Sequence, residues 1–492
     1  MTAIKDTVSS ISDLPIICQH DHVLAIKGDQ ESGDDDYYIK FISETGTGMN
    51  KGHWEETAAP GIVNTIDNAT MPQTLVREAD LTFTVKPVDW LEQLSGDKET
   101  NPNPSFVGKK INDVSLFNNR LGLASDENII MSESGNLFNF FRETVKTKLD
   151  TDRIDTASGS TKVSRIFHIL PFEDNLLLFS NNTQFAVTSD GALSNDSIKV
   201  PPLVNYPCNI NVPPLPVDEN VYWCSESGGV STAYELIAPN DLNSRRTNII
   251  NEHTNNLLPK NVVTLTASSS ENAIVYLSTE EPNTLFVYKY WWEGSVKRQS
   301  SWEKWVFSSA IELLDVKFLK DALYIIYNDS TSTHLGKIEL SQPETYDISE
   351  FSNATNRTIN LTAHLDFKVS SADVVKTFDS VMGTTSVDLP YLIDPDVDVV
   401  QVVVTADTDV YQAGQLLPIS GTSASTVTII GDVTSGVDFK LGVKYTHKMT
   451  YSPFFLRNAG NGESLGSAIV DGQLVIDEMT ISYSVKIYDT FA

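Results

Sequence analysis

The feature that most restricts the fold is a hairpin pattern that returns along the chain. A short polar turn between apolar strands stands at Asn118-Asn119-Arg120-Leu121. It returns at Glu173-Asp174-Asn175-Leu176, Asp218-Glu219-Asn220-Val221, Ser270-Glu271-Asn272-Ala273 and Lys320-Asp321-Ala322-Leu323. The interval, roughly 45 to 56 residues, is the length of chain that one four-stranded propeller blade consumes. An apolar strand precedes each turn, as in residues 166–172 and 316–319, so each turn is expected to be a tight hairpin within one sheet. The copies share pattern more than identity, and a series of sandwiches fits the same spacing.

The remaining texture is also that of an all-β chain. Val, Ile, Thr, Tyr and Phe recur in short runs separated by Asn, Asp, Gly and Ser. Only residues 136–146 and 69–78 have helical spacing, and both are short. The expected fold is all-β: an irregular β-propeller-like core, a small N-terminal β region and a C-terminal β-sandwich-like domain. At 492 residues the chain exceeds one hydrophobic core. Boundaries are expected at 1–95 for a platform-like N-terminal region with an acidic loop, Asp34-Asp35-Asp36. The propeller-like core then takes 96–350 and the C-terminal β domain 351–492, ending in a strand pair at 473–476 and 480–487. Residues 96–104 read as a polar connector, and the six prolines within 201–216 read as a long irregular crossing.

Charge narrows the function. Asp and Glu number 65 against 35 Lys and Arg, a net charge of −30. Proteins that grip nucleic acid concentrate cations to displace counterions from phosphates, so sequence-specific DNA binding is not expected here. The plain reading of the acidity is solubility; a channel wall that repels DNA is the sharper one.

Motifs for chemistry are sparse. His20-Asp21-His22 would share a strand face and offer two imidazoles to a metal, yet no third ligand lies nearby, and a solvated strand edge is favoured. Cys18, Cys208 and Cys224 are too scattered for a disulfide framework or a zinc site. Phosphate-loop and nucleophile-elbow motifs are absent. No catalytic, cofactor or metal site is therefore expected. Glycan cleavage or binding is the competing function, because Trp291, Trp292, Trp302 and Trp305 could stack sugars beside abundant carboxylates. The same residues read well as a blade hairpin with its aromatics packed between sheets.

The most specific text is residues 101–141, NPNPSFVGKKINDVSLFNNRLGLASDENIIMSESGNLFNFF. Its Pro104, Ser105, Phe106, Gly108, Ile111, Asn112, Asp113 and Val114 lead into Asn119-Arg120-Leu121-Gly122, then Glu127-Asn128-Ile129-Ile130, then Phe138-Asn139-Phe140. Upstream, Met71-Pro72 and Leu75-Val76-Arg77 extend the run; downstream, Pro171-Phe172, Gln184-Phe185 and Arg298-Gln299-Ser300 with Trp302 and Trp305 continue it. This text resembles the tail tubular protein B (tail nozzle) family of T7-like short-tailed phages, over residues 10 to 345 and more faintly beyond. Physically the block reads as packing: Gly108 and Gly122 for turns, Leu and Ile for strand faces, Arg120 for a turn carbonyl or carboxylate, and Phe138, Phe140 and Phe141 capping the sheet from a short helix.

The resemblance implies a non-enzymatic virion protein: a homo-hexameric ring below a dodecameric adaptor (tail tubular protein A), near the tail fibres, forming the conduit for DNA ejection. It implies assembly in the host cytoplasm and only transient, non-specific passage of DNA. Typical members also carry a segment ahead of the part matched here and a tail beyond it, so the chain is expected to be a fragment or split-gene product.

Overall fold

The computed structural model describes residues 7–27, 36–159, 162–237, 246–294, 296–329, 331–340, 365–446 and 448. Among them there is no α-helix, only strands and short 3₁₀ turns such as Ile11–Asp13 and Asn68–Thr70. Asp34 and Asp35 of the acidic loop, the 350/351 boundary and the expected strands at 473–487 lie outside the described residues. By internal contacts the chain divides into two units. The first is Met1–Glu280 with Tyr288–Trp302, and the second is Glu281–Val287 with Glu303–Ala492.

The recurring turns do close hairpins. Phe117 pairs with Arg120, Phe172 with Asn175, Val217 with Asn220, Ser268 with Ala273 and Leu319 with Ala322. Each turn needs a left-handed residue to match the strand twist. Asn118 and Asn119 (φ 47° and 59°), Glu173 (50°), Asp218 (51°), Asn272 (47°) and Lys320 (57°) fill that role. Around each hairpin a sheet forms in chain order, and most have four strands. One runs Asp113–Phe117, Arg120–Ser125, Asn128–Met131, Ile154–Ala157; another runs Leu215–Val217, Asn220–Ser227, Val230–Ile237, Arg246–Ile249. This is the blade pattern that the spacing implied, and the core is propeller-like.

Successive sheets pack face to face. In Asn175–Ser180, Leu176 and Leu178 meet Ile129, Met131 and Ile154 of the preceding sheet, while Leu177 and Phe179 meet Val221, Trp223 and Tyr234 of the following one. Side chains alternate sides along a strand, so the unbroken apolar run LLLF is the signature of a sheet covered on both faces. Each such fully buried side chain contributes about 1.5–3 kcal/mol. In the second unit, the sheet of Asp366–Ser370, Val400–Val404 and Phe439–Val443 lies against that of Val375–Asp379, Thr384–Asp388, Ile419–Thr422 and Thr426–Ile430. Val402, Val404 and Leu441 face Val387, Val427 and Ile429, a β-sandwich core.

Two local expectations need correction, and two others gain detail. Residues 136–146 are turns and bends, because several of their amides are claimed by side chains, one local and two distant, instead of by carbonyls four residues back. Phe141 N donates to Asn139 Oδ1, Arg142 N to Asn101 Oδ1 and Val145 N to Glu56 Oε1. Residues 69–78 hold only a 3₁₀ turn at Asn68–Thr70, followed past Pro72 by strand Thr74–Arg77 paired with Phe83–Lys86. The stretch 96–104 is irregular, with Lys98, Glu99, Pro102 and Asn103 exposed but Asn101 fully buried. Finally, the proline-rich crossing is irregular over 205–214, in keeping with the expectation, and is bounded by two short strands at sheet edges, Pro202–Val204 and Leu215–Val217, where proline is tolerated.

Candidate functional site

Residues 104–140 occupy three strands of the 113–157 sheet and the turns on either side. Their apolar members form one cluster: Phe106 and Phe140 meet edge to face at 5.3 Å, and Trp90 lies 5.8 Å from Phe140 and 5.6 Å from Phe138. Met71, Leu123 and Ile130 complete it. The phenylalanines therefore cap the sheet as expected, but from the turns at 136–141 and not from a helix. Pro104 is buried, and Gly108 (φ 77°) closes the next turn, a backbone state that costs other residues about 1–2 kcal/mol. Gly122 does not make a turn. It sits mid-strand opposite Ser115 and Met131, and an added Cβ would meet only ordinary contacts at 3.6 Å.

The polar members are spent inside the chain. Asp155 accepts from Ser105 N (2.8 Å), Ser105 Oγ (2.7 Å) and Asn128 Nδ2 (3.0 Å). Asn112 Nδ2 donates to Ile166 O and Asp113 Oδ2 accepts from Ile169 N, both at 2.7 Å, so these two side chains tie the first sheet to the next. Glu127 Oε1 accepts from Ser164 N at 2.8 Å, and Asn139 Nδ2 donates to Glu133 Oε2 at 2.8 Å. Asn119 supplies a left-handed backbone and a carbonyl for Gly135 N. Leu121 N donates to Ser132 Oγ.

Arg120 is the centre of this network. It is 1% exposed, and its guanidinium donates to five backbone carbonyls. Nη1 reaches Ser132 O (2.7 Å), Asp152 O (2.7 Å) and Thr151 O (3.1 Å); Nη2 reaches Asp150 O (2.7 Å) and Leu193 O (3.1 Å). Burial pushes its pKa down, while the charges of Asp152 and Glu133 hold it up. An arginine remains a cation under such a shift, so the fork of fixed donors acts as a permanent clamp on three chain segments.

Sequence reading missed two further knots. Gln93, Ser95 and Asn101 bind one another and Arg142 O at the start of the polar connector. The other is Glu235, fully buried, which accepts from Tyr222 Oη (2.6 Å) and from Lys297 Nζ (2.6 Å). Lys297 also donates to Tyr288 Oη and lies 4.8 Å over the Trp292 ring. Burial pushes the Tyr222 and Tyr288 phenols upward. A carboxylate inside the run Ala233-Tyr234-Glu235-Leu236 was a visible signal; its partner 62 residues on was not.

Groups that suggest chemistry in sequence resolve into structural roles. His20 and Asp21 form a turn (Asp21 φ 63°) and not a strand, and His20 Nδ1 accepts from Ser43 N. Among the described residues no group of three His, Cys, Asp or Glu is placed to hold a metal, and no helix is long and apolar enough to cross a membrane. Asp329, His334 and Ser332 do come together, but Asp329 and Ser332 both bind His334 Nε2 (2.9 Å each). A nucleophilic relay needs them on opposite ring nitrogens. Trp302 is taken up by packing on Tyr276 and Tyr288, with Nε1 donating to Ile250 O.

The family pattern described as bacteriophage nozzle protein matches residues 1–486. Tail tubular protein gp12 of Escherichia phage T7 is 30% identical over 382 residues, covering 77% of this chain and 46% of that protein. The chain thus spans about half the length of that relative. Among solved structures, the N-terminal domain of Nup159 superposes with a TM-score of 0.29 at 12% identity, over 70% of this chain and 93% of that one. Hsv2p of Kluyveromyces lactis gives 0.31 at 8% identity, over 68% and 88%. Superpositions this loose carry no weight for function. The match over nearly the whole sequence, on a signature that the fold turns into a packed and internally bonded block, decides the matter: the chain belongs to the bacteriophage nozzle protein family.

Proposed function

We propose that the chain is a structural subunit of a phage tail nozzle and forms part of the wall of the conduit through which DNA is ejected. In this reading it stands in a homo-hexameric ring below the adaptor ring, next to the tail fibres, in a virion assembled in the host cytoplasm. It performs no catalysis and takes no cofactor. The three regions 1–95, 96–350 and 351–492 serve as platform, propeller-like core and C-terminal β domain. One observation carries the proposal: the family match extends over residues 1–486, and the signature inside it is consumed by internal bonds, as suits a wall and not an active site. The net charge of −30 supports passage of DNA without adhesion.

Negative-stain imaging of the purified chain mixed with purified adaptor rings tests this. Six-fold rings seated on the adaptor are the expected result. A chain that stays monomeric and leaves the adaptor rings bare overturns the proposal.

A further inference from the structure

Between Met71 and Val88 the chain forms an arm. Thr74–Arg77 and Phe83–Lys86 pair with each other and with no other strand among the described residues. A lone two-stranded hairpin is marginal in water and gains from a surface to lie on. Its roots are fixed, because Met71 on one side and Val88 and Trp90 on the other are buried with Phe106 and Phe140. Its faces are the reverse of the usual ones. Side chains alternate along a strand, so Leu75 and Val85, paired across the hairpin, share a face with the pair Arg77 and Phe83. Leu75, Phe83 and Val85 are each about two-thirds exposed, whereas Thr74, Val76 and Thr84 on the opposite face are half-buried. At the turn, Leu81 is equally exposed and holds a left-handed backbone (φ 70°) that suits Asn or Gly and that a leucine adopts at a cost. These four side chains present roughly 400 Å² of apolar surface, about half of one side of a standard protein–protein interface. Arg77, on the same face, has no side-chain partner among the described residues, while Lys86 is held by Glu78 and Asp80 is engaged by Thr82.

A second apolar patch stands on the outer strand of the N-terminal sheet, Ile17–Gln19, which pairs on one side only, with Met49–Thr57. Ile17 lies opposite Lys51 and Gln19 opposite Met49, so Ile17 and Met49 are diagonal neighbours on one face. Both are more than half exposed, and so is Ile16. The unengaged charges here are mainly acidic. Asp13 precedes the strand, and Glu44 adjoins it through its N–H on Lys51 O. Neither carboxylate has a side-chain partner among the described residues. We propose that the arm of one copy of this chain docks on this patch of a second copy, with Leu75, Phe83 and Val85 covering Ile17 and Met49 and Arg77 meeting Asp13 or Glu44. Within one copy both patches stay exposed, so they do not cover each other. They match in apolar character and are opposite in free charge, and seating a cation of one copy among the acids of the next eases the repulsion between chains of net charge −30. Contact between unlike patches is head to tail, and repeated about an axis it closes a ring in which each copy gives one arm and receives one. The ring rests on the subunit reading above; the contact between two copies does not.

Cross-linking of the full chain with a short bis-maleimide tests this, in a Cys18→Ser background because Cys208 and Cys224 are buried. Val85→Cys copies mixed with Met49→Cys copies should cross-link, and neither variant alone should. Phe83→Thr keeps a strand-forming residue at an exposed position; it should weaken association in sedimentation at least tenfold and leave monomer melting unchanged. No cross-link in the mixture overturns the docking, as does a cross-link of Val85→Cys copies with one another. Association untouched by Phe83→Thr overturns it as well. Loss of binding to phosphatidylcholine vesicles or to adaptor rings in that variant would then assign the arm to a membrane or to the adaptor. Rings that form on the adaptor without any mixed cross-link refute the arm and leave the nozzle reading standing. A mixed cross-link beside bare adaptor rings supports the arm and overturns the nozzle reading.

Discussion

Replacing Arg120 by Met keeps the side-chain volume and removes every donor of the clamp. Of the five carbonyls released, Ser132 O and Asp152 O sit in fully buried bonds, whereas Thr151 O, Asp150 O and Leu193 O are only partly buried and can turn to water. A buried acceptor left without a donor costs about 1–3 kcal/mol, so two of them set the loss at roughly 2–6 kcal/mol. Relief from burying the guanidinium charge offsets part of this, and about 3 kcal/mol should remain. Arg120→Lys keeps a cation but offers three donors from one atom, which cannot span carbonyls on three segments; about half the loss is expected. Urea unfolding followed by tryptophan fluorescence reads the effect. With a slope near 3 kcal/mol per molar, Met should move the midpoint down by about 1 M and Lys by about half that. A loss below about 1 kcal/mol, or equal losses for Lys and Met, would refute the clamp. It would mean that other donors satisfy the carbonyls.

Two further outcomes are expected. Glu235→Gln or Lys297→Met alone should each cost about 3–5 kcal/mol, because each strands a buried charge, while the double change should cost clearly less than their sum in a double-mutant cycle. The burial-raised phenols of Tyr222, Tyr276 and Tyr288 favour the protonated, folded state. The unfolded chain releases these protons near pH 10 and the folded chain only at higher pH, so the stability they supply is complete below pH 10 and falls as pH rises beyond it. Absorbance at 295 nm should then show these phenolates appearing together with unfolding; smooth ionisation in the folded chain would contradict the burial.

The hairpin repeat was legible because a tight turn with a left-handed backbone takes polar residues, and the strands beside it must alternate or run apolar. The signature was legible as packing for the same reason: Phe106, Phe140 and Leu123 announce a core. What failed was local spacing read without distant partners. Residues 136–146 have apolar residues at helical intervals, yet Glu56 and Asn101 capture the amides that a helix would use. Arg120 was expected to meet one turn carbonyl or carboxylate, but four of its five acceptors lie 30 or more positions away, and only the fold assembles them. Asp155, the hub of the Ser105 and Asn128 bonds, stood 50 residues beyond Ser105 and 27 beyond Asn128.

The discontinuity of the first unit has a consequence for how the protein is made. Its segment Tyr288–Trp302 carries Lys297, the counter-ion of the fully buried Glu235. A nascent chain that has reached residue 280 already holds Glu235 but not the cation that neutralises it. At about 5–20 residues per second, the ribosome needs roughly another 1–4 s to deliver the missing strand. During that interval the unit cannot reach its final state, however complete its earlier sheets are. Synthesis therefore sets an order of events: the 113–157 and 166–204 sheets can lock early, and closure around Glu235 must wait for the late hairpin.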